Sequence, residues 1–282
     1  MKSIVTMFRS CDADYIGIKK CARESIKVDD AMEREGWDVK EILKQACLQG
    51  NIYIANKILH RWTRLDIHLY FHHACQGGHP DMVNFMIEKG ANKWNAGLHY
   101  ACLGGNRDIV NLMIEKGADD WKWGFDGACE GGNLDLVLLM IEQGVTHLGL
   151  SSACLGGNLD IVDLLIERGA CNWNKGLSGA CEGGRNNLAR LMIERGADDW
   201  NDGMFSACKG GHRDLVMLMI ERAGLLNTYT WNMGLYGACR GGHRDLVDLM
   251  IERGARNWKH ALPFARRGGH GDLVTLLRNY AG

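Results

Sequence analysis

Apolar and polar positions along this chain of 282 residues repeat with a period of about 27 residues. Each copy reads G-L-x-x-A-C-x-G-G-[NH]-x-D-[LI]-V-x-L-[ML]-I-E-x-G-A-x-x-W, with two apolar stretches on either side of a glycine pair. A fixed period of this size predicts a repeat architecture, in which each copy stacks on its neighbours. Nine copies are clear, anchored at Cys47, Cys75, Cys102, Cys129, Cys154, Cys181, Cys208, Cys239 and Arg266. A tenth, degenerate copy is indicated around Cys21.

The first apolar stretch of each copy predicts a short helix. In the copy around Cys102 this helix runs from Gly97 to Leu103, and Leu98, Ala101 and Cys102 share one face at helical spacing. The glycine pair Gly104-Gly105 is expected to end the helix, because glycine adopts the left-handed conformation that closes helices.

The second apolar stretch predicts a second, more buried helix. Asn106 stands at the expected N-cap position, and Asp108 places a negative charge in the first turn, where it complements the helix dipole. The helix is apolar on most sides, which favours packing between copies of itself; its apolar residues are Ile109, Val110, Leu112, Met113 and Ile114. Gly117 is expected to close it.

Eleven cysteines invite a disulfide or zinc interpretation, but their spacing favours another one. The chain has no C-x-x-C pair, and eight cysteines recur at one position of the repeat. Disulfide and zinc sites bring cysteines together in pairs or fours. We therefore expect each thiol to fill a small buried space, in a reducing compartment, with a redox or metal role as the alternative.

The stretch "GLHYACLGGNRDIVNLMIEKGA" (Gly97 to Ala118) resembles the ankyrin repeat, whose motif is T-P-L-H-x-A-A-x-x-G-H-x-x-[IV]-V-x-L-L-L-x-x-G-A. The resemblance covers residues from about 36 to 280 and implies an all-α, ankyrin-like helical-repeat solenoid. The Thr-Pro start is absent, cysteine replaces the second alanine, and the period is shorter than the usual 33 residues. The missing residues correspond to the β-hairpin, which we expect to be truncated. This short form is similar to repeats found in large DNA viruses.

This resemblance implies a simple domain organisation. Residues 1–35 are expected to form an N-terminal capping segment, which could be a degenerate repeat. Residues 36–282 are expected to form one continuous solenoid of tandem repeats, closed by the copy around Arg266.

One tryptophan recurs in six copies, as Trp94, Trp121, Trp173, Trp200, Trp231 and Trp258. Burial of so large a side chain favours a structural role, namely covering the end of the helix pair that the hairpin no longer covers. A ladder of aromatic faces that binds a ligand is the alternative. Two irregularities interrupt the array: a shortened turn at Gly144 to Leu150, and a four-residue insertion at Arg222 to Trp231. Insertions in solenoids usually form loops, often on the binding face.

Two positions of the first helix vary while the framework repeats. The residues three before the cysteine position are His72, His99, Asp126, Ser151, Ser178, Phe205, Tyr236 and Pro263. The residues immediately after it are Gln76, Leu103, Glu130, Leu155, Glu182, Lys209, Arg240 and Arg267. In the ankyrin family first helices line the concave side, so the resemblance implies a binding strip there. We predict partner contacts at His72, His99, Leu103, Asp126, Glu130, Phe205, Lys209, Tyr236, Arg240 and Arg267.

Charge and motifs narrow the function further. Lysine and arginine number 33 against 34 acidic residues, which argues against nucleic-acid binding by the protein as a whole. The charges are segregated: Ala118 to Leu150 holds six carboxylates against one lysine, and Gly237 to Gly282 holds eight basic residues against four acidic ones. Such a dipolar arrangement makes self-association an alternative to a foreign partner.

No enzymatic motif is present, and neither a catalytic residue nor a cofactor is predicted. His68 and His72 have the i, i+4 spacing of metal ligands, but no third ligand recurs beside them, so no metal site is predicted. No apolar run is long enough to span a membrane, and no secretory signal begins the chain. We predict a cytoplasmic, non-enzymatic scaffold that binds another protein, in the manner of a viral protein acting on host factors.

Overall fold

The structure is a computed structural model that describes residues 39–61, 65–146, 149–224 and 227–281. These residues form nine pairs of helices and no strand. The pairs are α1 (Val39–Leu48) with α2 (Ile52–Arg61), α3 (Ile67–Gly77) with α4 (Pro80–Glu88), α5 (Trp94–Gly104) with α6 (Arg107–Glu115), α7 (Trp121–Gly131) with α8 (Leu134–Glu142), α9 (Leu150–Gly156) with α10 (Leu159–Glu167), α11 (Trp173–Gly183) with α12 (Asn186–Glu194), α13 (Trp200–Gly210) with α14 (Arg213–Ala223), α15 (Thr228–Gly241) with α16 (Arg244–Glu252), and α17 (Trp258–Gly268) with α18 (Gly271–Ala281).

The nine pairs coincide with the nine copies of the sequence repeat, so the all-α repeat fold is confirmed. The proposed capping segment 1–35 and the degenerate copy around Cys21 lie outside the described residues. The chain divides into two compact units, residues 1–128 and residues 129–282, here called the N-terminal and C-terminal units. The boundary falls within α7. A single continuous solenoid over residues 36–282 stays a prediction.

The first helix of a pair begins earlier than predicted. The expected start at Gly97 is wrong, because α5 begins at Trp94 and ends at Gly104. The predicted buried face is correct: Leu98, Ala101 and Cys102 are fully buried. Trp94 therefore opens the helix of its own pair instead of ending the pair before it.

The second helix buries one face and keeps another exposed. In α6, Ile109, Val110 and Met113 are buried, whereas Asn111 and Glu115 are exposed. The remaining apolar side chains, Leu112 and Ile114, are half-buried on the flanks of the helix. The helix is therefore amphipathic, and it is less enclosed by its neighbours than the sequence suggested.

The connection between pairs is too short for a hairpin. Five residues, 116–120, join α6 to α7, and no strand is present among the described residues. Gly117 closes α6 with φ of 97°, and a Cβ added there would meet nothing within 4 Å. Glycine is required at this position for its backbone conformation alone. The truncated hairpin predicted from the short period is confirmed.

The glycine pair Gly210-Gly211 after α13 permits close packing against both neighbouring pairs. A Cβ on Gly210 would lie within van der Waals collision distance of the Glu182 carbonyl oxygen in the preceding pair. A Cβ on Gly211, which has φ of 81°, would collide with the ring of His243 in the following pair. The first glycine therefore allows close contact with the backbone of the preceding helix pair. The second glycine allows a side chain of the following helix pair to approach.

The residues at the N-cap positions of the second helices mostly bind the preceding pair. Asn106 occupies the predicted N-cap position of α6, but its side chain makes no capping hydrogen bond. Its Nδ2 donates to the carbonyl oxygens of Cys75 (3.2 Å) and Gln76 (3.0 Å), at the end of α3. The Nε2 atom of His243 likewise lies 3.1 Å from the Lys209 carbonyl oxygen. The N-cap position predicted for Asn106 is confirmed, but a side-chain capping bond is absent there. Such a bond forms at Asn51, whose Oδ1 accepts from the Ile54 amide at 3.1 Å, and at Asn158, whose Oδ1 accepts from the Ile161 amide at 3.1 Å.

The repeated cysteines fill buried positions, as predicted. All eight are buried, namely Cys47, Cys75, Cys102, Cys129, Cys154, Cys181, Cys208 and Cys239. Burial raises the pKa of Cys102 and of Cys154 to about 12 each, because a thiolate is poorly solvated there. Cys171, which lies outside the repeated position, is exposed.

The two irregular copies change the length of their first helices. The copy with the shortened turn has the short helix α9, which begins at Leu150. The insertion near Trp231 adds a turn to α15 and does not form only a loop: Asn227 caps the helix by accepting from the Tyr229 and Thr230 amides. Tyr229 is 60% exposed, whereas Leu148, Leu225 and Leu226 lie outside the described residues.

Candidate partner-binding surface

The two variable positions lie one helical turn apart on each first helix, so their side chains share one face of that helix. Most of these side chains are half-buried, including His72, His99, Leu103, Asp126, Glu130, Phe205, Lys209 and Tyr236. Arg240 and Arg267 are exposed. All ten predicted contact residues therefore keep part of their surface accessible, while Ala101, Cys102 and their counterparts are fully buried.

In the N-terminal unit, aromatic rings of α3, α5 and α7 form a continuous stack. His72 lies parallel to Tyr100, with ring centroids 4.9 Å apart. Tyr100 meets His99 edge-on at 5.0 Å, and His99 stacks on Trp123 at 5.0 Å. The Nδ1 atom of His99 also lies 2.9 Å from the Trp123 carbonyl oxygen. The predicted residues His72 and His99 are thus joined by two aromatic residues that the two-position pattern did not include.

This stack borders a groove with a volume of about 540 Å³. Its lining includes Leu69, which is 53% exposed, and Trp123, which is 38% exposed, beside Trp94 and Lys93. Exposed apolar side chains around a concave surface are typical of binding sites.

Three histidines beside the groove carry buried nitrogen atoms without a hydrogen-bond partner among the described residues: His68 Nδ1, His72 Nε2 and His73 Nδ1. Burial lowers the pKa of His72, and the neighbouring His73 lowers it further. Burial also lowers the pKa of His73, with a contribution from Lys44. The neutral imidazole is therefore favoured at both positions.

In the C-terminal unit, polar contacts join successive first helices at the variable positions or next to them. The hydroxyl oxygens of Ser178 and Ser206 are 2.8 Å apart, between α11 and α13. Lys209 forms an ion pair with Glu182 at 2.6 Å between the same two helices. The acidic charge at Glu182 is therefore neutralised within the protein.

Further along the same unit, aromatic side chains replace the serines. Tyr236 stacks on Phe264 with ring centroids 5.0 Å apart, and Phe205 meets Phe264 edge-on at 6.0 Å. All three side chains are half-buried. Arg240 and Arg267 extend from the last turns of α15 and α17 next to this cluster.

The repeated tryptophan is half-buried at all six positions. Trp94 meets Phe71 edge-on at 6.0 Å, and the Arg195 guanidinium lies 5.7 Å from the Trp173 ring centroid. Arg253 lies in the same way over Trp231, at 6.0 Å. The two arginine contacts hold a first helix against the end of its own second helix, whereas the Trp94–Phe71 contact joins two successive first helices.

The residue after this tryptophan binds the next turn. Asn95 Oδ1 accepts from the backbone amides of Asp119 (2.8 Å) and Asp120 (3.1 Å), and Asn174, at the same repeat position in the C-terminal unit, accepts from the amides of Asp198 and Asp199. Asn201 holds this position in the copy before the insertion, and its buried Oδ1 has no partner among the described residues. Asn232, which follows Trp231 after the insertion, again accepts from two backbone amides, those of Arg256 (2.9 Å) and Asn257 (3.1 Å).

Sequence reasoning missed Leu69, Tyr100, Trp123 and Phe264. Tyr100 and Phe264 share the position two before the cysteine position, which holds serine or glycine in most other copies. That unusual pair of aromatic residues is the signal that could have identified them. Trp123 is similarly distinguished as a tryptophan outside the repeated position.

Neither a metal centre nor a membrane span is found in the described parts of the chain. No group of three or more His, Cys, Asp or Glu side chains there is arranged to hold a metal ion. None of the helices described combines the length and the apolar character that a bilayer crossing requires.

Comparison with known proteins bears on the repeat itself. Residues 40–122 match the family model for ankyrin repeats, with three copies. No curated protein matches the chain. The match covers α1 to α6 and the start of α7, and the same helix-pair pattern continues to residue 281. These findings support an ankyrin-repeat protein with an all-α repeat fold.

Proposed function

We propose that this protein is a non-enzymatic scaffold that binds a partner protein along the variable positions of its first helices. Ankyrin repeats generally mediate protein–protein interaction. The observation that carries the proposal is the contrast within each first helix: the repeated residues are buried, and the variable ones remain accessible. Extended surfaces of this kind are what stacked repeats offer to partners.

The proposal is tested by affinity capture from the cells that produce the protein. We compare the wild type with a triple variant, Phe205→Ala, Tyr236→Ala and Arg240→Ala. The control variant changes residues exposed on second helices, Arg190→Ala, Arg213→Ala and Met217→Ala. The first-helix variant should lose the partner, and the control should retain it. The proposal would be refuted if the first-helix variant recovered the partner as the wild type does while circular dichroism showed an intact fold.

A second candidate function is structural self-assembly, which the segregated charges favour. Acidic residues dominate Ala118 to Leu150, and basic residues dominate Gly237 to Gly282. Opposite charges on two copies would attract each other most strongly at low ionic strength. Sedimentation at low and high salt is the test, and a monomer under both conditions counts against self-assembly.

The cellular setting is also a proposal. We place the protein in the cytoplasm, since reducing conditions suit a chain with eight buried cysteines at one repeated position. The shortened repeat supports the further proposal that it is a viral protein acting on host factors.

A further inference from the structure

Six residues of the C-terminal unit form a surface with a specific chemistry, here called the basic–aromatic strip: Phe205 and Lys209 of α13, Tyr236 and Arg240 of α15, and Phe264 and Arg267 of α17. The three aromatic side chains form one cluster through the contacts of Phe264. The three cations lie close to the C-terminal ends of their helices, where the helix dipole stabilises positive charge.

The positive charge of this strip increases along it. Lys209 is paired with Glu182, whereas Arg240 and Arg267 are exposed and form no ion pair with any described residue. Neither α15 nor α17 contains a carboxylate, while α17 adds Arg266 and Lys259 to the same helix as Arg267. Arg240 and Arg267 of the strip therefore lack the counter-charges that Lys209 has in Glu182.

The spacing of the cations follows from the packing of the helices. A Cβ atom added at Gly237 of α15 would collide with a carbonyl oxygen of α13. A Cβ atom added at Gly268 of α17 would collide with a carbonyl oxygen of α15. Helices in such close contact have axes about 8–10 Å apart. An extended chain in the polyproline II conformation advances about 3.1 Å per residue with three residues per turn, so residues three apart lie on the same side and span one such step.

We propose that the basic–aromatic strip binds an extended acidic segment of a partner protein, with a carboxylate at about every third residue and apolar residues between. Each carboxylate would pair with a guanidinium of the strip, a bidentate contact to which arginine is well suited. The apolar residues would rest on the aromatic cluster. This inference rests on the proposed function and names the chemistry of the partner.

Two alternatives fit the strip less well. A single-stranded nucleic acid needs aromatic faces on which its bases can stack, but Tyr236 and Phe264 already stack on each other with an interplanar angle of 1°. An acidic helix advances only about 1.5 Å per residue, so its carboxylates would have to recur at about every sixth or seventh residue. The extended acidic segment satisfies both the charge and the spacing.

The test measures binding of a fluorescein-labelled peptide of four Glu-Leu-Ser repeats to the full chain by fluorescence anisotropy. A second peptide of the same composition groups its glutamates at one end, and a third replaces leucine by serine. The first peptide should bind more tightly than either control. Arg240→Gln and Arg267→Gln should each weaken its binding about threefold, and the double variant about tenfold.

The matched control is the double variant Arg190→Gln and Arg213→Gln, which removes the same charge from exposed positions on second helices. It should bind the peptide as the wild type does. The proposal is overturned if the grouped-glutamate peptide binds equally well, if the control weakens binding as much as the strip variant, or if an oligothymidylate outcompetes the peptide. It is also overturned if the chain alone sediments as an oligomer that Arg240→Gln and Arg267→Gln dissociate, since a second copy then occupies the strip.

The two proposals fail in distinguishable ways. Loss of the captured partner in the alanine triple variant, without binding of the spaced peptide, leaves the proposed function standing and refutes the acidic segment. Binding of the peptide together with unaltered partner capture refutes the proposed function.

Discussion

At the residue scale, glycine is required in this protein for two different physical reasons. Gly117 permits a left-handed backbone in open space, whereas Gly210 permits contact with a neighbouring backbone. Alanine at the first kind of position is strained by its own φ angle. Alanine at the second kind would push two helices apart, because a carbonyl oxygen has no rotamer by which to move away.

Gly210→Ala should therefore destabilise the protein by about 1–3 kcal/mol, the usual range for overpacking. Gly271→Ala is the matched control, because a Cβ there meets nothing within 4 Å and φ is not positive. It should leave stability unchanged or raise it by up to about 1 kcal/mol, since alanine is the better helix former. Urea denaturation followed by circular dichroism measures both. Equal denaturation midpoints for the two variants would show that the backbone contact at Gly210 does not constrain the stability of the protein.

Residue types alone predicted where each helix ends but not what each end residue binds. The positive φ angles of Gly105 and Gly117 follow from glycine at the ends of apolar stretches. Asn106 was predicted to cap its own helix, yet it donates to the preceding pair. Both roles use the same amide group, and the choice depends on the distance to a neighbouring helix, which the sequence does not contain.

At the element scale, α3 differs from the other described first helices in carrying three half-buried histidines. Their unpartnered nitrogens lie at His68, His72 and His73. A buried imidazole without a partner can stay neutral at moderate cost, but its protonated form would be a buried charge. The packing of α3 against α5 is therefore linked to pH.

We expect stability of the protein to fall as pH drops through about 6.5, the ordinary pKa of histidine. The pKa values of His72 and His73 lie below this value in the folded state, so the unfolded chain binds more protons in this window. The thermal midpoint should be lower at about pH 5.5 than at about pH 7.5. The double variant His72→Gln and His73→Gln should show a smaller drop, and His260→Gln, at an exposed position, the wild-type drop. An identical drop in all three proteins would contradict the prediction.

The boundaries of elements were the least predictable part of the fold. The start of α5 at Trp94 was missed because the apolar periodicity begins only at Leu98. The insertion before Trp231 was assigned to a loop, but Asn227 provides a helix cap and extends α15 instead. The signal for the longer helix was a capping asparagine within an apparent loop. The apolar residues beside this asparagine made the signal hard to recognise.

At the scale of the whole molecule, one buried cysteine position is used eight times. Burial raises the thiol pKa there, to about 12 at Cys47, Cys181 and Cys239 among others, so these thiols are poorly nucleophilic in the folded protein. Cys171 is exposed and does not share this protection.

Brief maleimide labelling followed by peptide mass spectrometry should therefore modify Cys171 first among the nine cysteines of the described residues. The eight buried cysteines should react only after denaturant is added, and together. Cys171→Ser is the control, and it should remove the early modification from that peptide without exposing the others. Early labelling of a buried cysteine would show local opening of its helix pair.

The candidate surface was predicted only in part. The period identified the first-helix positions that vary, because variation stands out against a repeated framework. The groove beside Trp123 and the cluster around Phe264 arise from rings on different helices, which the sequence separates by 24 residues or more. Their assembly depends on the three-dimensional stacking of the pairs.

The contact between His243 and Lys209 has a consequence for how new specificities could arise. His243 binds the main-chain carbonyl of Lys209, and His212 binds that of Glu182 in the same way, at 3.1 Å. Every amino acid offers the same carbonyl, so this contact does not depend on the side chain that the position carries. Substitutions at this position can therefore change ligand binding at little cost in folding stability. A combinatorial library randomised at these positions alone should therefore yield mostly folded members. At such a residue the side chain is available for ligand binding, while the main-chain carbonyl maintains the contact between helix pairs.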